Sequence, residues 1–523
     1  MSASSSVLLT TLNARYSHSA FGLRYLYANL GEELRLKTKI PEFTISQNPR
    51  DIAESILREN PRLVGFGVYI WNTRQTQEVI SILKQVRPEI RIVLGGPEVS
   101  YESSTQAICA LADLTIQGEA DFLFRDLCRD FLEAGKWPSG RFLSGELPLV
   151  TDLSLPYRYY TDSDIAHRVI YVEASRGCPY KCEYCLSSLD KSVRNFDLDL
   201  FLSEMRILID RGARQFKFID RTFNLSVATS SRILQFFLDR ISLGLFLHFE
   251  MVPDRLPSEL RELIARFPKG SLQFEIGIQT WSPLVAQLVS RRLDYAKIRE
   301  NFAFLAESGV VHTHADLIAG LPGETIESFA HGFDAVAELA PDEIQVGILK
   351  RLKGTPIIRH DREWEMVYHD QPPFQILQTK TMSFEVLQGV GRFAHFWDLI
   401  ANSGNFKATL RLIAELSRKR SAPSLYWEFD ELARFLSARH PQGHGVALLN
   451  LVESVWLYLT ESRGVERETA RQLLIQDYAG TVKRDIPAFL RDGQVYASPA
   501  KESRSGMSSS TPSRQRRHLE AAH

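Results

Sequence analysis

The first part of the chain alternates short apolar runs with amphipathic segments of helical spacing. The apolar runs predict five strands, over residues 7–12, 40–45, 63–71, 90–98 and 113–120. The segments between and after them predict helices over 23–36, 51–59, 73–86 and up to about residue 134. Strands and helices that alternate in this way are typical of a doubly wound parallel sheet. We therefore expect an α/β domain over 1–140, with any ligand at the carboxyl ends of its strands.

A second α/β segment follows a linker, 141–168, that is rich in Pro, Gly, Ser and Asp. Its strands are predicted over 169–172, 214–225, 245–253, 271–280, 313–325 and 343–357. Helices separate these strands, over 198–211, 294–308 and 326–337 among others. Six strand–helix units are therefore expected between residues 169 and 360.

The pattern changes after residue 360, where no further parallel-strand units are predicted. Helical periodicity recurs over 383–402, 407–419, 427–439, 445–459 and 466–478, which predicts an α-helical domain over 361–498. The last segment, 499–523, is rich in Ser, Arg and Lys and almost lacks apolar residues, so we expect it to be disordered.

Composition excludes several classes of protein. The 523 residues are 44% hydrophobic and 24% charged, with a net charge of -1, so no general attraction to nucleic acid is expected. No apolar run is long enough to span a bilayer, and the N-terminus lacks the pattern of a secretory signal. We expect a cytoplasmic protein. Five cysteines are too few for a disulfide scaffold, and Cys109 and Cys128 lie on apolar helix faces.

The other three cysteines, Cys178, Cys182 and Cys185, follow the strand 169–172 in one short loop. Such a loop can bind a metal or form a disulfide, but three thiols cannot all pair. Zinc usually takes four protein ligands, and an iron–sulfur cube normally takes four thiolates. A cube that is held by these three cysteines would leave one iron open to an outside ligand.

The C-x3-C-x2-C spacing, with Tyr184 just before the third cysteine, resembles the radical SAM superfamily. The stretches VGFGVYIW, VLGGPE and IQGEAD resemble the cobalamin-binding domain that precedes many radical SAM domains. This resemblance implies a Rossmann-like cobalamin domain, a partial (β/α)6 barrel and a helical C-terminal domain. It also implies three cofactors, namely a [4Fe-4S] cluster, S-adenosylmethionine (SAM) and cobalamin.

The resemblance further implies which residues contact each cofactor. The cluster would be held by Cys178, Cys182 and Cys185. SAM would lie against Tyr184, Asp220, Glu275, Gln279, Gly320 and Pro322. Cobalamin would lie against Asn13, His18, Gly22, Tyr69, Trp71, Gly95, Gly96, Pro97, Gly118 and Glu119.

Two of these residues have more than one interpretation. The spacing Asp-x-His, which provides a cobalt ligand in some cobalamin domains, is absent, so His18 is either a ligand or a hydrogen-bonding loop residue. Glu275 is a possible catalytic group that faces the open iron. It could instead pair with a charge inside the barrel or support Arg221.

The expected activity is methyl transfer from methylcobalamin to a carbon of a small molecule or natural-product precursor. The alternatives are a cyclase or rearranging enzyme with the same cofactors, a methyltransferase that makes no radical, and a non-catalytic cobalamin sensor. The resemblance also implies an external electron donor of the flavodoxin or ferredoxin type. No stretch of the sequence indicates the substrate.

Overall fold

The computed structural model describes residues 6–145, 147–443, 445–479, 486–491 and 512–520. The chain forms two compact units. Unit 1 comprises Met1–Arg221, Lys350–Ile358 and His369–Gln375, and unit 2 comprises Thr222–Leu349, Arg359–Tyr368 and Ile376–His523. The division therefore falls inside the predicted segment 169–360, and each unit is described by itself.

Unit 1 contains eleven strands and eight α-helices among its described residues. The strands are β1 (Val7–Asn13), β2 (Thr38–Lys39), β3 (Glu42–Thr44), β4 (Leu63–Gly67), β5 (Arg91–Gly95), β6 (Leu114–Gln117), β7 (Phe142–Ser144), β8 (Ile170–Val172), β9 (Ser175–Arg176), β10 (Arg194–Asn195) and β11 (Gln215–Phe218). The helices are α1 (Phe21–Asn29), α2 (Glu32–Leu36), α3 (Pro49–Arg58), α4 (Thr73–Val86), α5 (Ala107–Leu111), α6 (Asp121–Ala134), α7 (Asp162–His167) and α8 (Leu198–Asp210).

The first seven strands form one sheet of order β2–β1–β4–β5–β6–β7, with β3 also paired to β1. Every pairing in it is parallel, as the alternation of strands and helices predicts. The strand order reverses at β1 and β4, which is where ligands bind in such sheets. Strand β7 lies in the predicted linker and extends the sheet, so that part of 141–168 belongs to the domain fold.

The helices cover both faces of this sheet. One core packs side chains of α3, α4 and α5 against β1, β4 and β5, and it includes Cys109. The other core packs α1 and α6 on the opposite face and includes Cys128. Both cysteines are buried, as their positions on apolar helix faces predicted.

The remaining strands of unit 1 surround the cysteine loop. Strand β8 pairs in parallel with β11, through Ile170–Val172 and Phe216–Phe218. Strands β9 and β10 are antiparallel, with Arg176 opposite Arg194 and Ser175 opposite Asn195. The two ends of the chain segment that carries the cysteines are thereby held side by side.

Unit 2 contains the strands β12 (Phe246–Met251), β13 (Leu272–Gln279), β14 (Val311–Ala319), β15 (Glu343–Ile348), β16 (Val367–Tyr368) and β17 (Ile376–Gln378). Strands β12 to β15 pair in parallel in chain order, and β16 and β17 are antiparallel. The helices are α9 (Val227–Leu238), α10 (Ser258–Ile264), α11 (Pro283–Leu288), α12 (Tyr295–Ser308), α13 (Ile326–Ala337), α14 (Phe384–Trp397), α15 (Lys407–Arg418), α16 (Leu425–Arg439), α17 (Leu448–Leu457), α18 (Arg467–Ala479) and α19 (Ser513–Glu520).

Helix α19 corrects the prediction that the tail is disordered throughout. Ser513–Glu520 is helical, whereas residues 499–511 and 521–523 lie outside the described residues. Arg514 forms an ion pair of 2.9 Å with Glu343, and Gln515 Nε2 donates to Gln273 Oε1 at 2.8 Å. Because Glu343 and Gln273 are buried, these polar contacts help to hold the helix in place, and composition does not reveal them.

Among the described residues, no helix combines the length and the hydropathy that crossing a bilayer requires.

Candidate cofactor site

The cysteine loop begins at a glycine that no other residue can replace without strain. Gly177 has a φ of +90°, and a Cβ atom on it would lie 1.9 Å from the carbonyl oxygen of Ser192. Directly after it, the Cys178 amide donates to the carbonyl of Asp190 at 3.1 Å. The loop therefore closes on itself immediately before the first cysteine.

The three thiols of this loop are shielded to different extents. Cys178 and Cys182 are buried, and Cys185 is partly exposed. A backbone hydrogen bond of 3.1 Å from the Cys185 amide to the Cys182 carbonyl forms a turn between two of them. Burial raises the pKa of Cys178, the nearby Cys185 and Cys182 raise it further, and Arg221 lowers it. Three thiolates this close repel one another, so a positively charged group of metal ions is what they suit.

Among the described residues, no three His, Cys, Asp or Glu side chains converge as the ligands of a single ion would. A [4Fe-4S] cube does not need such convergence, because each thiolate binds a different iron. The other two cysteines lie in the cores of the N-terminal sheet. The loop therefore fits a cube with three cysteine ligands.

Asp220 lies directly after β11 and holds the chain that leads into the cysteine loop. Its carboxylate accepts from the amide of Ala174 at 3.0 Å and from Ser175 Oγ at 2.6 Å. Burial raises the pKa of Asp220 to about 7, although the hydrogen bond from Ser175 lowers it. The predicted contact of Asp220 with SAM stays a prediction, and the role that the contacts support is positioning of the loop.

A cavity of about 700 Å³ opens at the carboxyl ends of β4, β5 and β6 in unit 1. Eight of the ten residues predicted to contact cobalamin line it, namely Gly22, Tyr69, Trp71, Gly95, Gly96, Pro97, Gly118 and Glu119. Leu186, Ser187 and Asp190 of the cysteine loop line it as well. The cavity thus extends from the ends of the sheet to the segment that carries the cysteines.

Glycine is required at one position in the cavity wall. Gly96 has a φ of +109°, and a Cβ atom on it would lie 2.5 Å from the carbonyl oxygen of Val68. The two loops that follow β4 and β5 can therefore approach closely, which leaves their outer side open for a large flat ligand. The wall that results fits the corrin ring that the resemblance implies.

Tyr69 and Trp71 stack on each other in the same wall. Their ring centroids lie 4.5 Å apart with an interplanar angle of 7°. Asn72, which is fully buried, fixes this loop, because its Oδ1 accepts from the Tyr69 amide at 2.8 Å and its Nδ2 donates to the Leu12 carbonyl at 3.1 Å. The sequence analysis assigned Asn72 no role of its own, and its partner Leu12 on β1 is 60 residues away.

Asn13 and His18 do not line this cavity. His18 Nδ1 lies 2.5 Å from the hydroxyl of Tyr171 on β8, and Asn13 Nδ2 donates to Glu42 Oε2 at 2.7 Å. Burial lowers the pKa of His18, and the charges of Lys217 and Arg15 lower it further. Of the two interpretations of His18, these contacts favour the hydrogen-bonding loop residue.

Glu119 connects the cavity wall to the cysteine loop. Its carboxylate pairs with Arg176 at 2.8 Å and with Arg194, the two arginines that face each other in β9 and β10. Arg176 also pairs with Glu173 at 2.8 Å, and Arg194 pairs with Asp190 at 2.9 Å. Neither arginine was singled out in the sequence, although Arg176 lies only two residues before Cys178.

The other residues predicted to contact SAM lie in unit 2, apart from Tyr184, which is buried in unit 1. Glu275 Oε2 on β13 lies 3.0 Å from His248 Nε2 on β12, so the carboxylate is paired within unit 2. Gln279 ends β13 with a φ of +74°, and Gly320 and Pro322 form the turn after β14, where Gly320 has a φ of +87°. The sequence prediction missed His248.

Comparison with known families matches three segments of the chain. The model of the B12 binding domain matches residues 7–127, and that of the Radical SAM superfamily matches residues 172–336. The chain thus contains a B12-binding domain and, after it, a Radical SAM domain. Residues 362–514 match a protein of unknown function, DUF4080. These two domains indicate an enzyme whose cofactors are a [4Fe-4S] cluster, SAM and cobalamin, as the resemblance implied.

Two curated relatives are methyltransferases by name. An uncharacterised methyltransferase of Pyrococcus horikoshii is 25% identical, over 66% of this chain and 77% of its own length. The cobalamin-dependent radical SAM methyltransferase TokK of Streptomyces tokunonensis is 23% identical, over 63% of this chain and 53% of its own length. The chain thus spans about half of the latter protein.

A solved structure shares the fold. The radical S-adenosylmethionine methyltransferase TsrM of Kitasatospora setae, with cobalamin and a [4Fe-4S] cluster bound, matches with a TM-score of 0.56 and 18% identity. The match covers 70% of this chain and 81% of that chain. The predicted α/β fold, with a B12-binding domain, a radical SAM domain and a helical C-terminal domain, is confirmed.

Proposed function

We propose that this enzyme is a cobalamin-dependent radical SAM methyltransferase that transfers a methyl group to a carbon atom of a small molecule. The observation that carries the proposal is the shared cavity wall in unit 1. Gly95, Gly96 and Trp71 from the B12-binding domain and Ser187 from the cysteine loop line one space of about 700 Å³. Radical formation and methyl transfer to the same carbon require both cofactors at one site.

When bound, the cluster supplies the electron that cleaves SAM, and cobalamin supplies the methyl group. Replacement of one C–H hydrogen by methyl consumes two SAM molecules and two electrons. One SAM leaves as S-adenosylhomocysteine, and the other leaves as methionine and 5'-deoxyadenosine, which carries the hydrogen. The electrons come from an external donor of the flavodoxin or ferredoxin type. We also propose a cytoplasmic location, since thiols and thiolate-bound iron suit a reducing compartment.

The protein contributes binding, orientation and exclusion of water. Cys178, Cys182 and Cys185 would hold the cluster, and the Gly177 turn and Asp220 position the loop that carries them. Glu119 would hold the end of β6 against this loop through Arg176 and Arg194. Tyr69 and Trp71 offer an aromatic face to the corrin ring rather than a cobalt ligand.

The test uses the full chain, reconstituted anaerobically with iron, sulfide and hydroxocobalamin, and supplied with SAM and a low-potential reductant. We expect both 5'-deoxyadenosine and S-adenosylhomocysteine, and a labelled methyl group from SAM in a component of a metabolite extract. The variant Cys182→Ala should lose the iron chromophore and form no 5'-deoxyadenosine, while Cys109→Ala should keep both.

Each alternative gives a different result in this assay. A protein that cleaves SAM and transforms a substrate without any labelled methyl product is a cyclase or rearranging enzyme. Methylation without 5'-deoxyadenosine indicates transfer that makes no radical. Tight binding of cobalamin with no consumption of SAM indicates a sensor, and it would refute the proposed activity.

A further inference from the structure

Glu98 is a buried carboxyl group in the cavity wall that the sequence prediction did not assign. It follows Gly95, Gly96 and Pro97, and the residue is only 3% exposed. It lines the cavity, and among the described residues its Oε1 atom has no hydrogen-bond partner. A buried oxygen without a partner loses its hydration and gains nothing in return, so such an atom in a cavity wall points to a missing ligand.

The backbone of Glu98 is held in place from two sides. Its carbonyl accepts from Gln106 Nε2 at 2.8 Å, and its amide donates to the Val68 carbonyl at 3.4 Å. The adjacent Gly96 turn is fixed by its close approach to Val68. The carboxyl group therefore lies at a defined point of the wall rather than on a loop that can turn it away.

Every other acidic residue in this wall has an arginine partner. Glu119 pairs with Arg176 and Arg194, Asp190 pairs with Arg194 at 2.9 Å, and Asp121 lies 3.7 Å from Arg176. Glu98 has no ion pair within 4.0 Å among the described residues. Glu98 is thus the carboxyl group of this wall that can still form hydrogen bonds to a ligand.

The surroundings of Glu98 allow its carboxyl group to be either protonated or ionised. Burial raises its pKa to about 7, the ammonium group of Lys353 lowers that pKa, and Glu102 raises it. Near neutral pH the group can therefore accept a hydrogen bond as a carboxylate or donate one as an acid. A primary carboxamide complements both forms, because it carries N–H donors and a carbonyl acceptor.

The ligand of this cavity has such groups along its edge, since the corrin ring of cobalamin carries acetamide and propionamide side chains. We propose that Glu98 binds the carboxamide of one of the three propionamide side chains, b, d or e, and thereby fixes the rotation of the corrin ring in the cavity. The inference rests on cobalamin as the ligand of the cavity, and it does not depend on methyl transfer.

The experiment measures equilibrium binding of hydroxocobalamin and of its three derivatives in which the b, d or e propionamide is hydrolysed to a carboxylate. The proteins are the wild-type full chain, Glu98→Gln, Glu98→Ala and the matched control Glu133→Gln, an exposed glutamate of α6. Far-UV circular dichroism and the Tm establish that each variant folds.

We expect Glu98→Ala to bind hydroxocobalamin about tenfold more weakly, which corresponds to about 1.4 kcal/mol. Glu98→Gln should stay within about threefold, because an amide can replace the carboxyl as donor and acceptor. One of the three carboxylate derivatives should bind the wild type at least about tenfold more weakly than the other two, because two carboxylates would face each other. Glu98→Gln should restore its binding.

Equal affinities of the three derivatives for the wild type, or the same discrimination in Glu98→Gln as in the wild type, would overturn the assignment of Glu98. In that case normal binding of hydroxocobalamin leaves the proposed function standing. A folded wild type that binds no hydroxocobalamin would overturn both.

Discussion

The guanidinium group of Arg176 lies 2.8 Å from the carboxylate of Glu119, and Arg176 precedes Cys178 by two residues. The same carboxylate pairs with Arg194, beyond the third cysteine. The loop after β6, which lines the proposed cobalamin cavity, is therefore tied to both ends of the segment that carries the three cysteines. Order in one cofactor site should depend on order in the other.

Loss of this connection is expected in Glu119→Gln. The change leaves the charges of Arg176 and Arg194 less compensated, and breaking a largely buried pair costs about 3 kcal/mol. We expect a Tm lower by several degrees and less iron and sulfide bound after reconstitution, as measured by scanning calorimetry and iron analysis. Glu133→Gln makes the same chemical change on an exposed part of α6 and should match the wild type. Wild-type iron content and Tm in Glu119→Gln would show that the ion pairs do not support the loop.

Replacement of His18 should leave cobalt coordination unchanged. His18 bonds to the Tyr171 hydroxyl at 2.5 Å and does not line the cavity. In His18→Gln the ultraviolet–visible spectrum of bound cobalamin should be that of the wild type, with affinity within about threefold. The expected loss is in stability, by about 1 kcal/mol for one hydrogen bond. A shifted cobalamin spectrum in His18→Gln would instead make His18 a cobalt ligand.

Glu324 should give the protein a pH-dependent stability. It is 2% exposed, accepts from Thr280 Oγ1 at 3.0 Å, and has no partner on Oε2 among the described residues. Burial raises its pKa to about 8, although the hydrogen bond from Thr280 lowers it. Between the ordinary pKa of a glutamate, about 4.3, and about 8, the folded state keeps a proton that the unfolded state has lost. The contribution of Glu324 to the free energy of unfolding is therefore greatest at acidic pH. It falls as the pH rises, by up to about 1.4 kcal/mol per pH unit.

The measurement is the Tm of Glu324→Gln minus that of the wild type at a series of pH values from 5 to 9. This difference should grow with pH and level off above about pH 8. Glu327→Gln, on the exposed side of α13, serves as the control and should show no such trend. A difference that stays constant with pH would mean that Glu324 is ionised throughout the range.

Removal of helix α19 should destabilise unit 2. Glu343 is 4% exposed and pairs with Arg514, and His518 Nε2 lies 2.9 Å from the carbonyl of Asn402. Truncation before residue 512 leaves these buried groups without their partners, so we expect the Tm to fall by at least about 2–4 °C. A shorter truncation, after residue 520, should have no effect. An unchanged Tm in the longer truncation would mean that the tail adds no stability.

Several elements follow from local sequence patterns. Helix α4 spans Thr73–Val86, as its apolar spacing predicts, because helical periodicity is a property of neighbouring residues. The predicted strand 63–71 ends early, at Gly67. Asn72 bonds both to the amide of Tyr69 and to the carbonyl of Leu12, and these hydrogen bonds hold Tyr69 outside the sheet. The apolar run continues past that point, and only the contact with β1 ends the strand.

In the candidate site, too, some features follow from local sequence and others depend on tertiary contacts. Strand-end glycines and aromatic residues marked the cavity, because loops at the carboxyl ends of parallel strands converge. His18 was placed with them on its position in the first loop, yet it bonds to Tyr171, which is 153 residues away. A lone polar residue in a loop has many possible partners, and the fold alone selects among them.

By itself, the sequence determined the order of strands and helices and the three-cysteine loop, because periodicity and ligand spacing are encoded within short stretches. The cofactors came from its resemblance to a known family. Tertiary structure decided which charges pair. It joined Glu119 to Arg176 and Arg194 and joined Glu275 to His248. It left Glu98 facing the cavity, with no ion pair to any residue that the structure describes. The physical reason is that ion pairs and buried hydrogen bonds depend on distances between residues far apart in the chain, which only folding sets.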